Sequence, residues 1–233
     1  MEKCSTGILG LDHMLDGGIP LGRNVLLCGE SGTGKTIFAM HFLMQGAKRG
    51  EPVALISLDE TPEKMIENIS QFGWDLSPYL EKNLFHFIDA SQENLAFSDD
   101  PNHIQSEWER FFDFIHKHRI SRLVIDPFRF EQSQTTNVIL NEKLKEIIYY
   151  IENNLLCTSL MIIPTKYTID KPLKESIWSS GFIELAFNTT TQTMDRHIII
   201  RKMRGSKIEH LKKRYFIKEN LGFFIPSYHL EHR

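Results

Sequence analysis

Cysteine is scarce, with only Cys4, Cys28 and Cys157 in 233 residues, and no two form a Cys-x-x-Cys pair. That spacing gives a zinc site no support and suits a reduced, cytoplasmic protein. No stretch approaches the roughly 18 uninterrupted apolar residues of a membrane span. The N-terminus has no basic region followed by an apolar stretch, so neither a membrane anchor nor an export signal is expected. Charge of neither sign dominates: 27 Lys and Arg stand against 30 Asp and Glu, for a net charge of −3. Nucleic-acid binding driven by overall charge is thereby disfavoured, which leaves only a local basic patch. Low-complexity segments, internal repeats and long linkers are missing too, so residues 1–233 read as one domain. At 41% hydrophobic residues, the chain can fill one large α/β core. His116 and His118 end an aromatic-rich helix without a matching ligand cluster and read as solvated or capping residues.

What is present is concentrated early. Gly29-Glu30-Ser31-Gly32-Thr33-Gly34-Lys35-Thr36 meets every required position of the phosphate-loop pattern G-x-x-x-x-G-K-[ST]. Asn24 to Cys28 before it reads as a buried strand, and Thr36 to Leu43 after it as the first turns of a helix. Gly29, Gly32 and Gly34 let the backbone curl so that successive N–H groups face a phosphate. The helix N-terminus adds its partial positive charge. Lys35 then reaches the β- and γ-phosphates, and the Thr36 hydroxyl ligates Mg²⁺. Ser31 and Thr33 complete the loop that would bind a nucleoside triphosphate.

Strand and helix patterns alternate through the rest of the chain, predicting a mainly parallel, twisted sheet with helices on both faces. Pro52 to Leu58 reads as a strand. A helix from about Pro62 to Phe72 carries Met65, Ile66, Ile69 and Phe72 as its apolar stripe, with Thr61 as its cap. Leu84 to Ile88 is a further strand. The helix from about Ile104 to His116 buries Trp108, Phe111, Phe112 and Ile115. Arg122 to Ile125 is a strand leading to Asp126. Next comes a helix from about Val138 to Glu152, with Leu140, Leu144, Ile147, Ile148 and Ile151 inward, then a strand from Leu160 to Ile163. Phe182 to Phe187, Arg196 to Lys202 and Arg214 to Ile217 read as strands without intervening helices, an antiparallel extension at one sheet edge.

In an open α/β sheet the ligand crevice lies outside the carboxyl ends of the strands. Asp126 stands at such an end, where it would hold Mg²⁺ through a water beside Thr36. A strand-end Asp also caps turns, a use that Pro127 favours. Asp59 and Glu60 follow the next strand in sequence. One of them would orient and partly deprotonate the water that attacks the γ-phosphate. Equally, both would serve as acids ahead of the helix that opens at Pro62, where negative charge is stabilising. No acid directly follows Asp126, so a catalytic base has to come from elsewhere.

Taken together these motifs resemble the KaiC family of RecA-like ATPases. Ser5-Thr6-Gly7-Ile8-Leu9-Gly10-Leu11-Asp12 and Gly17-Gly18-Ile19-Pro20-Leu21-Gly22-Arg23 lead into the phosphate loop as in that family. Leu58-Asp59-Glu60-Thr61-Pro62, Phe72-Gly73-Trp74-Asp75-Leu76, Arg122 to Asp126 and Lys202-Met203-Arg204-Gly205-Ser206 resemble its later signatures, from about Ser5 to Phe224. The resemblance implies a RecA-like phosphate-loop fold and a homo-oligomeric ring, usually of six subunits, with ATP and Mg²⁺ at the interfaces. It also implies that Asp59 and Glu60 match the catalytic acid pair, and that Lys202 and Arg204 reach a neighbouring subunit's γ-phosphate. Read without it, Lys202-Met203-Arg204 is a solvated strand end.

The chain departs from the family pattern in places. Asp59 stands where Glu is usual, which shifts more of the catalytic work to Glu60. One such domain is present where the clock protein has two in tandem. The stretch Thr165 to Gly181 looks shorter than in the self-phosphorylating half of that protein. Thr168-Ile169-Asp170 and Ser179-Ser180 are weak stand-ins for its phosphorylated pair, which argues against autokinase activity. The reading is therefore an ATP-hydrolysing, nucleotide-switched regulatory oligomer with an unidentified protein partner. A recombinase-like motor is the alternative. It would take DNA on Thr165 to Ser180, through Lys166, Lys171 and Lys174 with Tyr167 and Trp178 as stacking residues, or on the patch of Lys207, Lys212, Lys213 and Arg214. A module that binds ATP with little turnover is a third reading.

Overall fold

The computed structural model describes residues 1–90, 101–128, 137–164, 175–188, 195–208 and 211–226. The elements in chain order are β1 (Lys3–Cys4), α1 (Leu9–Met14), β2 (Ile19–Pro20), β3 (Asn24–Gly29), α2 (Lys35–Lys48), β4 (Val53–Ser57), α3 (Pro62–Ser70), α4 (Ser77–Glu81) and β5 (Phe85–Asp89). They continue as α5 (Pro101–Lys117), β6 (Arg122–Asp126), α6 (Asn137–Asn153), β7 (Thr158–Ile163), α7 (Glu175–Trp178), β8 (Gly181–Asn188), β9 (Asp195–Met203), β10 (Lys212–Arg214), β11 (Phe216–Lys218) and β12 (Gly222–Phe224).

An eight-stranded sheet runs in the order β10-β9-β8-β3-β7-β6-β4-β5. From β8 to β5 every pairing is parallel, and β9 and β10 add on in antiparallel fashion. Successive residues of a central strand point to opposite faces. Val25, Leu27, Val53 and Leu55 thus join the core under α1, α2 and the C-terminal strands. Leu26, Cys28, Ala54 and Ile56 join the core under α5 and α6. Both faces being covered, β3 is buried along its whole length, as a near-continuous apolar run requires.

The α5 residues Trp108, Phe111, Phe112 and Ile115 are buried, as are Ile147, Ile148 and Ile151 of α6; the side chains of Leu140 and Leu144 lie outside the described residues. In α3, Met65 and Ile69 are buried, as is Phe72 just past its end, but Ile66 is 36% exposed. Ile66 follows Met65 by one residue, about 100° round the helix, and so leaves the stripe that positions 65, 69 and 72 share. Thr61 takes the N-cap position of α3 without making a side-chain cap hydrogen bond.

Three differences concern the sheet. The segment Gly181–Asn188 pairs in parallel with β3, so only β9 and β10 form the antiparallel extension. The stretch Arg214 to Ile217 is not one strand. It divides at Tyr215, which is buried between β10 and β11. The acids after β4 follow the phosphate-loop strand in sequence, yet β7 and β6 lie between β4 and β3 in space. Each parallel crossover through a helix leaves room for strands that come later in the chain.

Arg122, at the start of β6, serves the scaffold. Its Nε donates to Glu51 at 2.5 Å and its Nη1 to the carbonyls of Ser5 at 2.6 Å and Phe42 at 3.0 Å, tying the N-terminal segment to α2. His118 stacks on Phe114 with ring centroids 4.2 Å apart and also meets His86. No metal-binding cluster of three or more His, Cys, Asp or Glu occurs among the described residues. No helix there is long and apolar enough to cross a membrane.

Candidate functional site

The loop from Gly29 to Thr36 closes the gap between the end of β3 and the start of α2. It needs a left-handed turn immediately before the helix, and Gly34 takes the N-cap position with φ 88°, a conformation that side chains other than glycine's resist. Its missing side chain matters a second way, because a Cβ there would run into Ile217. Thr33 Oγ1 donates to the Glu30 carbonyl at 2.8 Å, and Lys35 Nζ donates to the same carbonyl at 2.9 Å. The first N–H groups of α2 have no partner within the helix and face the loop's concavity.

That concavity opens into a cleft of about 360 Å³, walled by Gly32, Gly34, Lys35, Thr36, Ser57, Asp59, Glu60 and Asp126 among others. Sheet register explains why acids from two strands meet here. Ser57 of β4 is aligned with Asp126 of β6, and the Leu58 N–H donates to the Asp126 carbonyl at 3.0 Å. The chain then turns at once: Ser57 Oγ donates to the Glu60 carbonyl at 2.6 Å and accepts from the Glu60 N–H at 3.2 Å. Asn68 Nδ2 holds the Glu60 carboxylate at 3.2 Å from the second turn of α3. Asp59 is more exposed than Glu60.

On the cleft floor Thr36 Oγ1 donates to Asp126 Oδ2 at 2.8 Å. Asp126 lines the cleft, and burial pushes its pKa up to about 6, opposed by the Thr36 hydrogen bond and Lys35 and assisted by Asp59 and Glu60. Burial likewise draws the Lys35 pKa down, while Asp126 holds it up. A hydroxyl and a carboxylate side by side, facing a loop that binds phosphate, form the hard oxygen donor set that Mg²⁺ takes, with waters filling the remaining positions. The residues present therefore fit Mg²⁺ held by Thr36 and Asp126.

A pH dependence follows from Asp126. Because its folded pKa is raised, this carboxyl favours the unliganded fold fully below pH 3.8, and that contribution is lost as pH rises through about 6. Mg²⁺ held here would need the anion, so protons would compete with it below about pH 6. The expected result is an about tenfold weaker Mg²⁺-dependent part of ATP affinity at pH 5 than at pH 7. Asp126→Asn should flatten that profile. Titration of nucleotide binding with and without Mg²⁺ across this range checks it, and an unchanged profile in the variant would reject Asp126 as the titrating group.

Lys202 and Arg204 lie elsewhere. The Arg204 N–H donates to the Ser180 carbonyl, and the Ser180 N–H to that of Asn24, at the start of β3. Arg204 thus sits about 17 Å along the strand from Gly29, at a rise of about 3.3 Å per residue. Lys202 Nζ donates to the Ser176 and Ile177 carbonyls at 2.8 and 3.4 Å. The two cations are at the opposite end of the sheet from the phosphate loop of the same chain.

Several expectations about binding surfaces change or fall away. Trp178 is partly buried and packs against the core under α5 and α6. Ser179 and Ser180 are buried, and Ser180 Oγ donates to Glu152 at 2.5 Å; neither is placed to accept a phosphoryl group. Arg214 pairs with Asp195 at 2.5 Å, which reduces the net charge of the patch with Lys207, Lys212 and Lys213. Residues 165–174, with Lys166, Tyr167, Thr168, Ile169, Asp170, Lys171 and Lys174, lie outside the described residues.

Sequence reading missed what stands behind the loop. The Tyr215 hydroxyl donates to the Thr33 carbonyl at 2.5 Å, and burial raises its pKa, which keeps it a donor. Its ring stacks on Phe223 at 4.2 Å. Phe223 in turn meets Phe38 of α2 edge-on at 5.3 Å, and its N–H donates to His41 Nε2 at 2.9 Å. Burial draws His41 down to about 4, so it is a neutral acceptor there. A buried aromatic directly after Lys212-Lys213-Arg214 was the available hint.

Comparison with known proteins bears on the family and the fold. The family model of the KaiC ATPase matches residues 4–226. A UPF0273 protein of Pyrococcus horikoshii is 32% identical over 215 residues, which is 88% of this chain and 86% of that protein. The circadian clock protein KaiC2 of Synechocystis is 30% identical over 227 residues, covering 94% of this chain but 39% of that protein. The crystal structure of a KaiC-like protein from Pyrococcus horikoshii has a TM-score of 0.78 at 24% identity, covering 97% of this chain and 99% of that one.

Proposed function

This chain belongs to the KaiC family of ATPases, and from that premise we propose that it is a Mg²⁺-dependent ATP hydrolase whose assembly and partner binding change with nucleotide state. The observation that carries the reading is the convergence of Lys35, Thr36, Asp126, Asp59 and Glu60 on one cleft. A loop alone would support binding; carboxylates on the facing wall add a means of activating water.

The residues divide the work. The loop N–H groups and Lys35 hold the β- and γ-phosphates and take up their charge. Thr36 and Asp126 hold Mg²⁺, which when bound supplies further neutralisation of the phosphates. Glu60, its backbone tied to Ser57 and its carboxylate to Asn68, orients a water and accepts its proton; Asp59 assists from the exposed side. Lys202 and Arg204 supply positive charge to the γ-phosphate of the adjoining subunit in a ring, which we take to be a hexamer. Head-to-tail contact between opposite ends of the sheet would be heterologous, the type that forms a ring when its rotation closes. The three cysteines are buried and none is in a disulfide, in keeping with a cytoplasmic protein.

The test is steady-state phosphate release with Mg²⁺ and ATP, alone and with single-stranded DNA, alongside the mass of the particle with and without nucleotide. The expected turnover is slow, well below the ~10 s⁻¹ typical of enzymes, indifferent to DNA, and accompanied by assembly. Binding without Mg²⁺-dependent release would reduce the protein to a nucleotide-gated module, and strong stimulation by DNA would make it a motor.

A further inference from the structure

Tyr215 belongs to none of the residues lining the cleft, yet its hydroxyl is buried against the back of the phosphate loop. The group it binds is the carbonyl of the peptide joining Thr33 to Gly34. In a trans peptide the C=O and N–H point in opposite directions. A donor that pins the Thr33 carbonyl toward the core therefore turns the Gly34 N–H toward the cleft. Ile217, two residues on, stands where a side chain on residue 34 would lie. The stack of Tyr215 on Phe223 and the edge contact with Phe38 keep this support registered against α2.

We infer that Tyr215 is a positioning residue for phosphate binding: its hydroxyl, braced by Ile217, sets the Thr33–Gly34 peptide so that the Gly34 N–H faces the β- and γ-phosphates. The inference rests on the reading of this loop as a triphosphate site. It predicts a specific pattern, since the support touches only the part of the site that meets phosphate. A purely structural tyrosine would lower stability and would not favour one part of the nucleotide over another.

Tyr215→Phe keeps the ring and its stacking and removes the donor alone. Calorimetric titration of the full chain with ATP, ADP, AMP and adenosine reads the effect, with the thermal midpoint as the folding control. Expected are losses of about tenfold for ATP and ADP, the scale of one buried hydrogen bond, and unchanged affinity for adenosine and AMP. Equal losses for all four ligands, or wild-type affinity for ATP, would overturn the inference. Should this variant fail to fold, Ile217→Ala leaves the hydroxyl in place and frees the far side of Gly34. It should show the same ordering among ligands at about threefold, and an ATP affinity equal to wild type would again overturn it. Wild-type protein that binds none of the four nucleotides would instead remove the triphosphate reading itself.

Discussion

Lys35→Ala is expected to lower ATP turnover by about a thousandfold or more, the scale on which preorganised electrostatic contacts to a transition state act. Lys35 is 9% exposed and its ammonium already lies within the loop, on the Glu30 carbonyl. Two or three negative phosphate oxygens gathered in the cleft need that charge, and among the described residues no other lysine lines the cleft. The variant gives up one hydrogen bond inside the loop, so its thermal midpoint should stay near that of the wild type. Phosphate release under saturating Mg²⁺ and ATP measures the loss, and undiminished turnover would sink the assignment of the cleft. The same variant also tests the role of the distant cations. Arg204→Ala subunits keep an intact cleft, and Lys35→Ala subunits keep an intact Arg204. Random mixing in a ring should recover about a quarter of the wild-type activity. No recovery despite confirmed mixed assembly would count against action across the interface.

Glu60→Gln is expected to slow turnover about a hundredfold with little change in ATP affinity, the measure of a lost general base. Glutamine keeps the length and volume of the side chain, and its amide oxygen can still accept from Asn68 Nδ2. What it cannot do is take a proton from water. Asp59→Asn should have a smaller effect, since Asp59 is shorter and more exposed than Glu60. Single-turnover rates and separately measured affinities distinguish the outcomes. A parallel loss of affinity and rate would make Glu60 a structural residue at the start of α3, and a larger effect at Asp59 would move the base there.

The parts of the site that could be read from the chain are those built from neighbours in sequence. The phosphate loop is such a run, and so is Asp126 at the end of an apolar strand. Asp59 and Glu60 were visible as acids, but their meeting with Asp126 depends on β4 pairing directly with β6, which no local pattern encodes. Lys202 and Arg204 showed only as alternating cations. That they stand at the far end of the sheet follows from the antiparallel run of β9 against β8. Tyr215 escaped notice because its partner is the carbonyl of Thr33, a backbone atom 182 residues earlier. Ile66 illustrates the opposite error: an apolar residue was assigned to a stripe by its type when its angle on the helix places it outside.

Strand order also sets a timetable for the ribosome. The strand that carries the phosphate loop is complete by residue 29, but its two flanking strands are Thr158–Ile163 and Gly181–Asn188. A nascent chain of 150 residues would hold β4, β5 and β6 and still have an empty slot where the sheet's centre belongs. Loop closure over such separations is slow compared with local folding. Competence to hold nucleotide would thus emerge late in synthesis, and ATP can stabilise the chain only once most of it has left the exit tunnel.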